Sequence, residues 1–192
     1  MMAGRKFDDL YNMSGGIKAW NSNTAFGPED FGLELFAGTE SAEEVLVVDS
    51  SLEDGLRDFY LSMVDKTDNA KVKDIFRKLS DIEIKHKERV FSEYLKVTGN
   101  TESVEQFENN RVSLAVEGGL TTKEYLQLFK PDFDSEVDII SLAMSIEAQA
   151  LDLYQRAADK AKDETSRDFL LQMAGEEIAH LRQLGKLMEE VA

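Results

Sequence analysis

Cysteine is absent from the 192 residues, which removes disulfides, thiolate-bound zinc, Cys-ligated iron and thiol nucleophiles together. Positive charge is scarce: 22 Lys and Arg stand against 38 Asp and Glu, a formal net charge of −16 that opposes a polyphosphate backbone, so no nucleic-acid partner is expected. No apolar run approaches the roughly 18 residues of a membrane span, and the N-terminus lacks the basic-then-apolar layout of a signal peptide. A cytoplasmic location without membrane contact is therefore expected. Proline is confined to Pro28 and Pro131, and glycine is crowded into the first 40 residues and a few later points. What is present is a globular composition, 42% hydrophobic and 31% charged, in a length suited to one domain or to a smaller domain with a tail.

The Pro and Gly punctuation divides the chain. Residues 1–40, with Gly15-Gly16, Asn21-Ser22-Asn23, Gly27-Pro28 and Gly38, show no sustained helical period and read as loop, short turns or a tail. Residues 41–192 form the expected domain. Apolar residues recur there every three or four positions in four stretches: about 41–66, 68–98, 135–161 and 163–191. Ser41 with Glu44 makes a capping box for the first, and Gly99-Asn100 a stop for the second. One or two residues around Thr67 and around Lys162 join the helices into two antiparallel hairpins. About 35 residues, Asn100 to Asp134, lie between the hairpins and must form a crossover, with room for a short helix over 121–129. The predicted fold is all-α: a four-helix bundle of two hairpins and one long crossover, the ferritin-like arrangement, behind an irregular N-terminal tail.

The hairpins also repeat each other. A constant shift of 94 residues carries Glu53 onto Glu147, Tyr60 onto Tyr154, Glu83 onto Glu177 and His86 onto His180. Those are the only two histidines. Residues three apart on a helix lie about 60° from each other around its axis, so each Glu-x-x-His shares one face. That face is the apolar one: in the series Leu170, Met173, Glu177, His180, Leu184, Leu187, Val191 the ionisable residues stand where a bundle expects Leu. Glu53 and Glu147 interrupt their own stripes in the same way, three residues before Leu56 and Ala150.

Four carboxylates in one low-dielectric interior cost several kcal/mol each unless neutralised. Two divalent ions would neutralise them, and a mixed oxygen and imidazole donor set suits iron or manganese. Glu53, Glu83, His86, Glu147, Glu177 and His180 are thus the predicted ligands of a dimetal centre, two irons or manganese or mixed metals in their place. The alternative is that the glutamates are solvated and the histidines are satisfied core residues, which would require six coincidences in one repeat. Tyr60 and Tyr154 each fall seven residues after a proposed ligand, about 10.5 Å further along the same face. They could hydrogen-bond a ligand carboxylate or be ordinary core tyrosines. Asp49, one turn before Glu53 but paired with Ala143 in the repeat, is expected to be solvated or near the bundle end. Glu176 points about 100° away from Glu177 and is expected at the surface.

With these residues in place, positions from about 41 to 191 resemble the rubrerythrin branch of the ferritin-like superfamily. The likeness is carried by Glu53 with Phe59-Tyr60, Glu83-x-x-His86, Glu147 with Leu153-Tyr154, Glu177-x-x-His180, and Val116-Glu117-Gly118-Gly119-Leu120 before Lys123-Glu124-Tyr125-Leu126. It implies a bimetal centre reacting with hydrogen peroxide or dioxygen, in a homodimer. Ala150 stands where rubrerythrins proper carry a further glutamate, so the redox-linked ligand exchange attributed to that residue is not carried over. The family's usual rubredoxin module needs four cysteines, so electrons are expected from a separate, unidentified donor. Residues Phe7 to Trp20 resemble the closing strand, turn and helix start of a rhodanese domain. This implies a remnant of a rhodanese and rubrerythrin fusion whose cysteine would lie upstream, and carries no sulfurtransferase activity.

The leading expectation is a non-haem dimetal oxidoreductase in which Glu53 and Glu147 serve one metal each, Glu83 and Glu177 bridge, and His86 and His180 complete the coordination. Ferrous-iron oxidation for storage or detoxification is a second. A metal-stabilised interaction module without turnover is a third. Fold alone does not separate them.

Overall fold

The computed structural model describes residues 32–101, 103–109 and 119–191. The helices are α1 (Ala42–Val64), α2 (Ala70–Thr98), α3 (Val104–Glu108), α4 (Thr122–Phe129), α5 (Glu136–Lys160) and α6 (Glu164–Val191), with a short 3-10 turn at Leu33–Leu35 ahead of them. The described residues contain no strand. None of these helices is long and apolar enough to cross a membrane. The rhodanese-like stretch, Phe7 to Trp20, and Val116 to Gly118 of the crossover lie outside the described residues.

Local chemistry sets the helix ends. Ser41 and Glu44 form the expected capping box, the Ser41 amide donating to Glu44 Oε2 at 2.8 Å and the Glu44 amide to Ser41 Oγ at 3.3 Å. Asn69 caps α2, and Gly99 closes it with φ at 63° in the left-handed region. Five residues, 65–69, join α1 to α2 rather than one or two, because Asn69 leaves helical geometry to cap the next helix. That loop is tied to the start of α5: Thr67 Oγ1 donates to Asp134 Oδ1 and Asn69 Nδ2 to the Asp134 carbonyl, each at 3.0 Å.

The four long helices make two antiparallel hairpins, α1 with α2 and α5 with α6, joined by the long crossover that the loop lengths predicted. Two apolar clusters fix the directions. Leu46, Leu52, Val90, Tyr94, Leu153, Tyr154, Leu170 and Met173 belong to one cluster; Leu56, Tyr60, Phe76, Leu79, Ile140, Ile146 and Leu184 belong to the other. Along the chain, α1 runs from the first cluster to the second, α2 back to the first, α5 from the second to the first, and α6 from the first to the second. The crossover therefore leaves α2 at one end of the bundle and must reach the other, roughly the 43 Å length of a 29-residue helix. A turn of a few residues could not span it. On the way it forms α4, expected over 121–129 and entered through a Thr121–Glu124 capping box, and α3, which the apolar period did not predict.

Residues 32–40, expected as tail, are built onto the bundle. Phe36 is 1% exposed and meets Tyr154 edge to face with ring centroids 6.3 Å apart. The Gly38 carbonyl accepts from the Lys162 amide at 3.1 Å, and the Glu40 carbonyl from Ser166 Oγ at 2.9 Å. Gly38 has φ at +82°, and a Cβ there would stand 2.6 Å from the Lys160 carbonyl oxygen, so only glycine fits.

Candidate metal centre

Between the two apolar clusters lies a single polar layer, to which each long helix contributes. Glu53 falls between Leu52 and Leu56 on α1, Glu83 and His86 between Leu79 and Val90 on α2, Glu147 between Ile146 and Ala150 on α5, and Glu177 and His180 between Ala174 and Leu184 on α6. All six are buried. The antiparallel run of the hairpins brings sequence-distant residues to the same height, so a repeat in the sequence becomes a layer in the fold.

Within the layer the ligating atoms gather into two groups, Glu53, Glu83 and His86, and Glu147, Glu177 and His180, each with donor atoms within 4.8 Å of one another. His86 Nδ1 lies 2.8 Å from Glu83 Oε2 and 3.5 Å from Glu53 Oε2. His180 Nδ1 lies 3.1 Å from both Glu147 Oε2 and Glu177 Oε2. In each group Nδ1 is the nitrogen turned toward the carboxylates. The groups abut, because the two imidazoles stack with centroids 4.1 Å apart and planes inclined by 12°.

The electrostatics of the two groups differ. Burial, reinforced by the neighbouring Glu83 carboxylate, pushes the Glu53 carboxyl well above its usual range. Burial acts on Glu147 in the same sense, but hydrogen bonds with Glu177 and His180 and the charges of His180 and His86 outweigh it and hold that carboxyl below its usual range. Glu53 Oε2 has no hydrogen-bond partner although it is buried. A buried carboxylate oxygen without a hydrogen bond, with the His86 imidazole at 3.5 Å and the Glu83 carboxylate in the same group, fits a divalent cation in a mixed oxygen and nitrogen sphere. Two such buried groups can hold two metal ions.

Around the layer the structure departs from two expectations, those for Asp49 and Glu176. Asp49 is neither solvated nor at the bundle end: it is 1% exposed, and its Oδ1 accepts from the Tyr154 hydroxyl at 2.6 Å. Burial lifts its carboxyl to about 6, against the lowering influence of the Tyr154 hydrogen bond and of the His86 and Arg89 charges. Its other oxygen, Oδ2, has no hydrogen-bond partner. Tyr154 therefore bonds Asp49, a carboxylate outside the predicted ligand set. Tyr60 is fully buried among aromatic rings, 5.5 Å from the Phe59 centroid and 6.4 Å from that of Phe76. Glu176 is half-buried rather than a free surface residue, held by an ion pair to Arg89 across the helices and by a hydrogen bond from Gln172. The i, i+4 spacing of Asp49 and Glu53 already placed both on one face, and that spacing was the available signal. Its tyrosine partner, 105 residues away, was not visible in the stripe.

Compared with family models, with curated proteins and with solved structures, the chain gives no match to any of the three.

Proposed function

We propose that this chain is a non-haem dimetal oxidoreductase of rubrerythrin type that reduces peroxide or dioxygen. The observation that carries the proposal is the pair of abutting Glu/Glu/His groups, buried in one layer between two apolar clusters. Glu53, Glu83 and His86 would hold one metal, and Glu147, Glu177 and His180 the other. Two irons, or manganese in their place, would supply reversible one-electron chemistry when bound there.

The chain's own residues do the rest. The four carboxylates would balance the metal charge, and the two imidazoles would supply nitrogen donors. The apolar clusters above and below keep bulk water from the layer and strengthen every electrostatic interaction inside it. The Tyr154–Asp49 hydrogen bond secures α5 against α1 just beyond Glu53 and Glu147. Electrons come from a separate donor, and the rubrerythrin likeness adds a homodimer, which mass in solution tests.

The deciding experiment loads ferrous iron anaerobically, counts metal per chain and follows visible absorption after hydrogen peroxide or air. About two irons per chain and a fast ferric oxo-bridged spectrum, faster with peroxide than with dioxygen, support the proposal. Oxidation faster with dioxygen, with accumulation of further ferric iron, would favour iron handling. Tight binding with no response to either oxidant would leave a metal-stabilised module.

A further inference from the structure

We propose that the cleft between α2 and α6 binds the alkyl group of small organic hydroperoxides and directs their O–O bond at the dimetal layer. This rests on the dimetal assignment and extends it from hydrogen peroxide to a second substrate class. The cleft has a volume of about 150 Å³. Its walls are aliphatic: Ile75, Leu79 and Ile82 from α2 face Leu184 and Leu187 from α6. Its floor is polar and belongs to the centre, for Glu83, Glu147 and His180 line it, so both metal-ligating groups are reached from one opening. Lys78 and Gln183 stand at its exposed rim, with Lys78 turned to Asp74 at 2.7 Å.

A purely polar entry would suffice for hydrogen peroxide, which is as hydrophilic as water. Five aliphatic side chains above a carboxylate and imidazole floor instead match a molecule with an apolar body and a polar O–O head. The volume is well below that of a pocket for a drug-sized ligand, so the body is a few carbons in length, and a folded peptide segment is excluded by size. Ile82 and Leu187 are only partly buried, leaving the apolar wall open to solvent at the mouth. In the reaction the O–O bond of ROOH breaks, two electrons are taken from the reduced metal pair and two protons from solvent, and the products are ROH and water. The donor that re-reduces the metals is the one already required.

Two experiments test this, one independent of the metals. In the metal-free full chain, tert-butanol, a redox-inert stand-in for the alkyl body, is titrated while methyl resonances are followed by NMR. Shifts confined to the methyls of Ile75, Leu79, Ile82, Leu184 and Leu187 are expected; shifts elsewhere, or none, would overturn the assignment of the cleft. In the iron-loaded chain, oxidation rates with tert-butyl hydroperoxide and with hydrogen peroxide are compared in the parent and in Leu187→Trp and Ile82→Trp, each checked for iron content. Filling the cleft should lower the ratio of alkyl to hydrogen peroxide rates about tenfold. An unchanged ratio in both variants sinks the cleft proposal and leaves the dimetal centre standing, whereas no oxidation by either peroxide in the parent removes both.

Discussion

The imidazoles of His86 and His180, contributed by different hairpins, lie stacked 4.1 Å apart and nearly parallel, each turning Nδ1 toward its own pair of carboxylates. Each ring closes one group and touches the other, so the integrity of either position should be felt across the layer.

His86→Ala or Glu177→Ala should therefore lower metal content, from about two ions per chain to one or fewer, and impair oxidation of what remains. Glu176→Ala, one residue along, removes the ion pair to Arg89, worth about 1 kcal/mol or less, and the hydrogen bond from Gln172, and should keep the metal. Metal analysis of the purified variants checks both, and stoichiometric metal in Glu177→Ala would refute the six-ligand assignment.

Metal should stabilise the fold directly, since burying four carboxyl groups in one layer is costly without it. At a hundredfold excess over its Kd a bound ion contributes about 2.7 kcal/mol. Thermal unfolding with ferrous or manganous ion, and again after chelation, should show a midpoint that rises with metal concentration. A midpoint indifferent to metal would contradict a centre in this layer.

In the chelated protein, the Asp49 contribution to stability should fall as pH rises from about 4 to about 6. Asp49 has its carboxyl lifted from 3.8 to about 6, so in that window the folded chain still holds a proton that the unfolded chain has released. Below the window both states are protonated and above it both are ionised, with the full cost of the buried charge in place. Asp49→Asn should flatten this part of the profile in denaturant titrations at successive pH values. An unaltered slope would mean that Asp49 is already ionised at the low end.

Tyr154→Phe should cost about 1–3 kcal/mol, because it removes the bond to Asp49 Oδ1 while Oδ2 has no partner to compensate. Combining it with Asp49→Asn should cost less than the sum of the two single changes, and a double-mutant cycle reads that coupling. Strict additivity would show that the pair is not energetically linked.

The bundle and its six ionisable positions were legible because they break a strong regularity. A Glu or His at a Leu position of a long amphipathic stripe is costly, and here the same break occurs in both halves of a repeat. What was not legible depended on partners remote in sequence or on elements too short to show a period. Asp49 resembled a terminal, hydrated residue until Tyr154 was seen beside it. The five-residue α3 carries a capping box at Ser103 and Gln106 and one buried anchor, Phe107, packed 4.5 Å from the Tyr94 ring. One anchor makes no stripe. Phe36 likewise lay in a glycine-rich stretch without a helical period, and its edge-to-face contact with Tyr154, together with the hydrogen bonds from Lys162 and Ser166, shows that the segment belongs to the bundle.

Each candidate metal position is owned by one hairpin: Glu53, Glu83 and His86 by the first, Glu147, Glu177 and His180 by the second. Each donor set is thus a property of one helix pair, whereas the separation of the two positions is set where the hairpins meet. Sliding one hairpin past the other would alter that separation while leaving both donor sets whole. The distance between the two candidate positions is therefore governed by how the hairpins dock rather than by any single side chain.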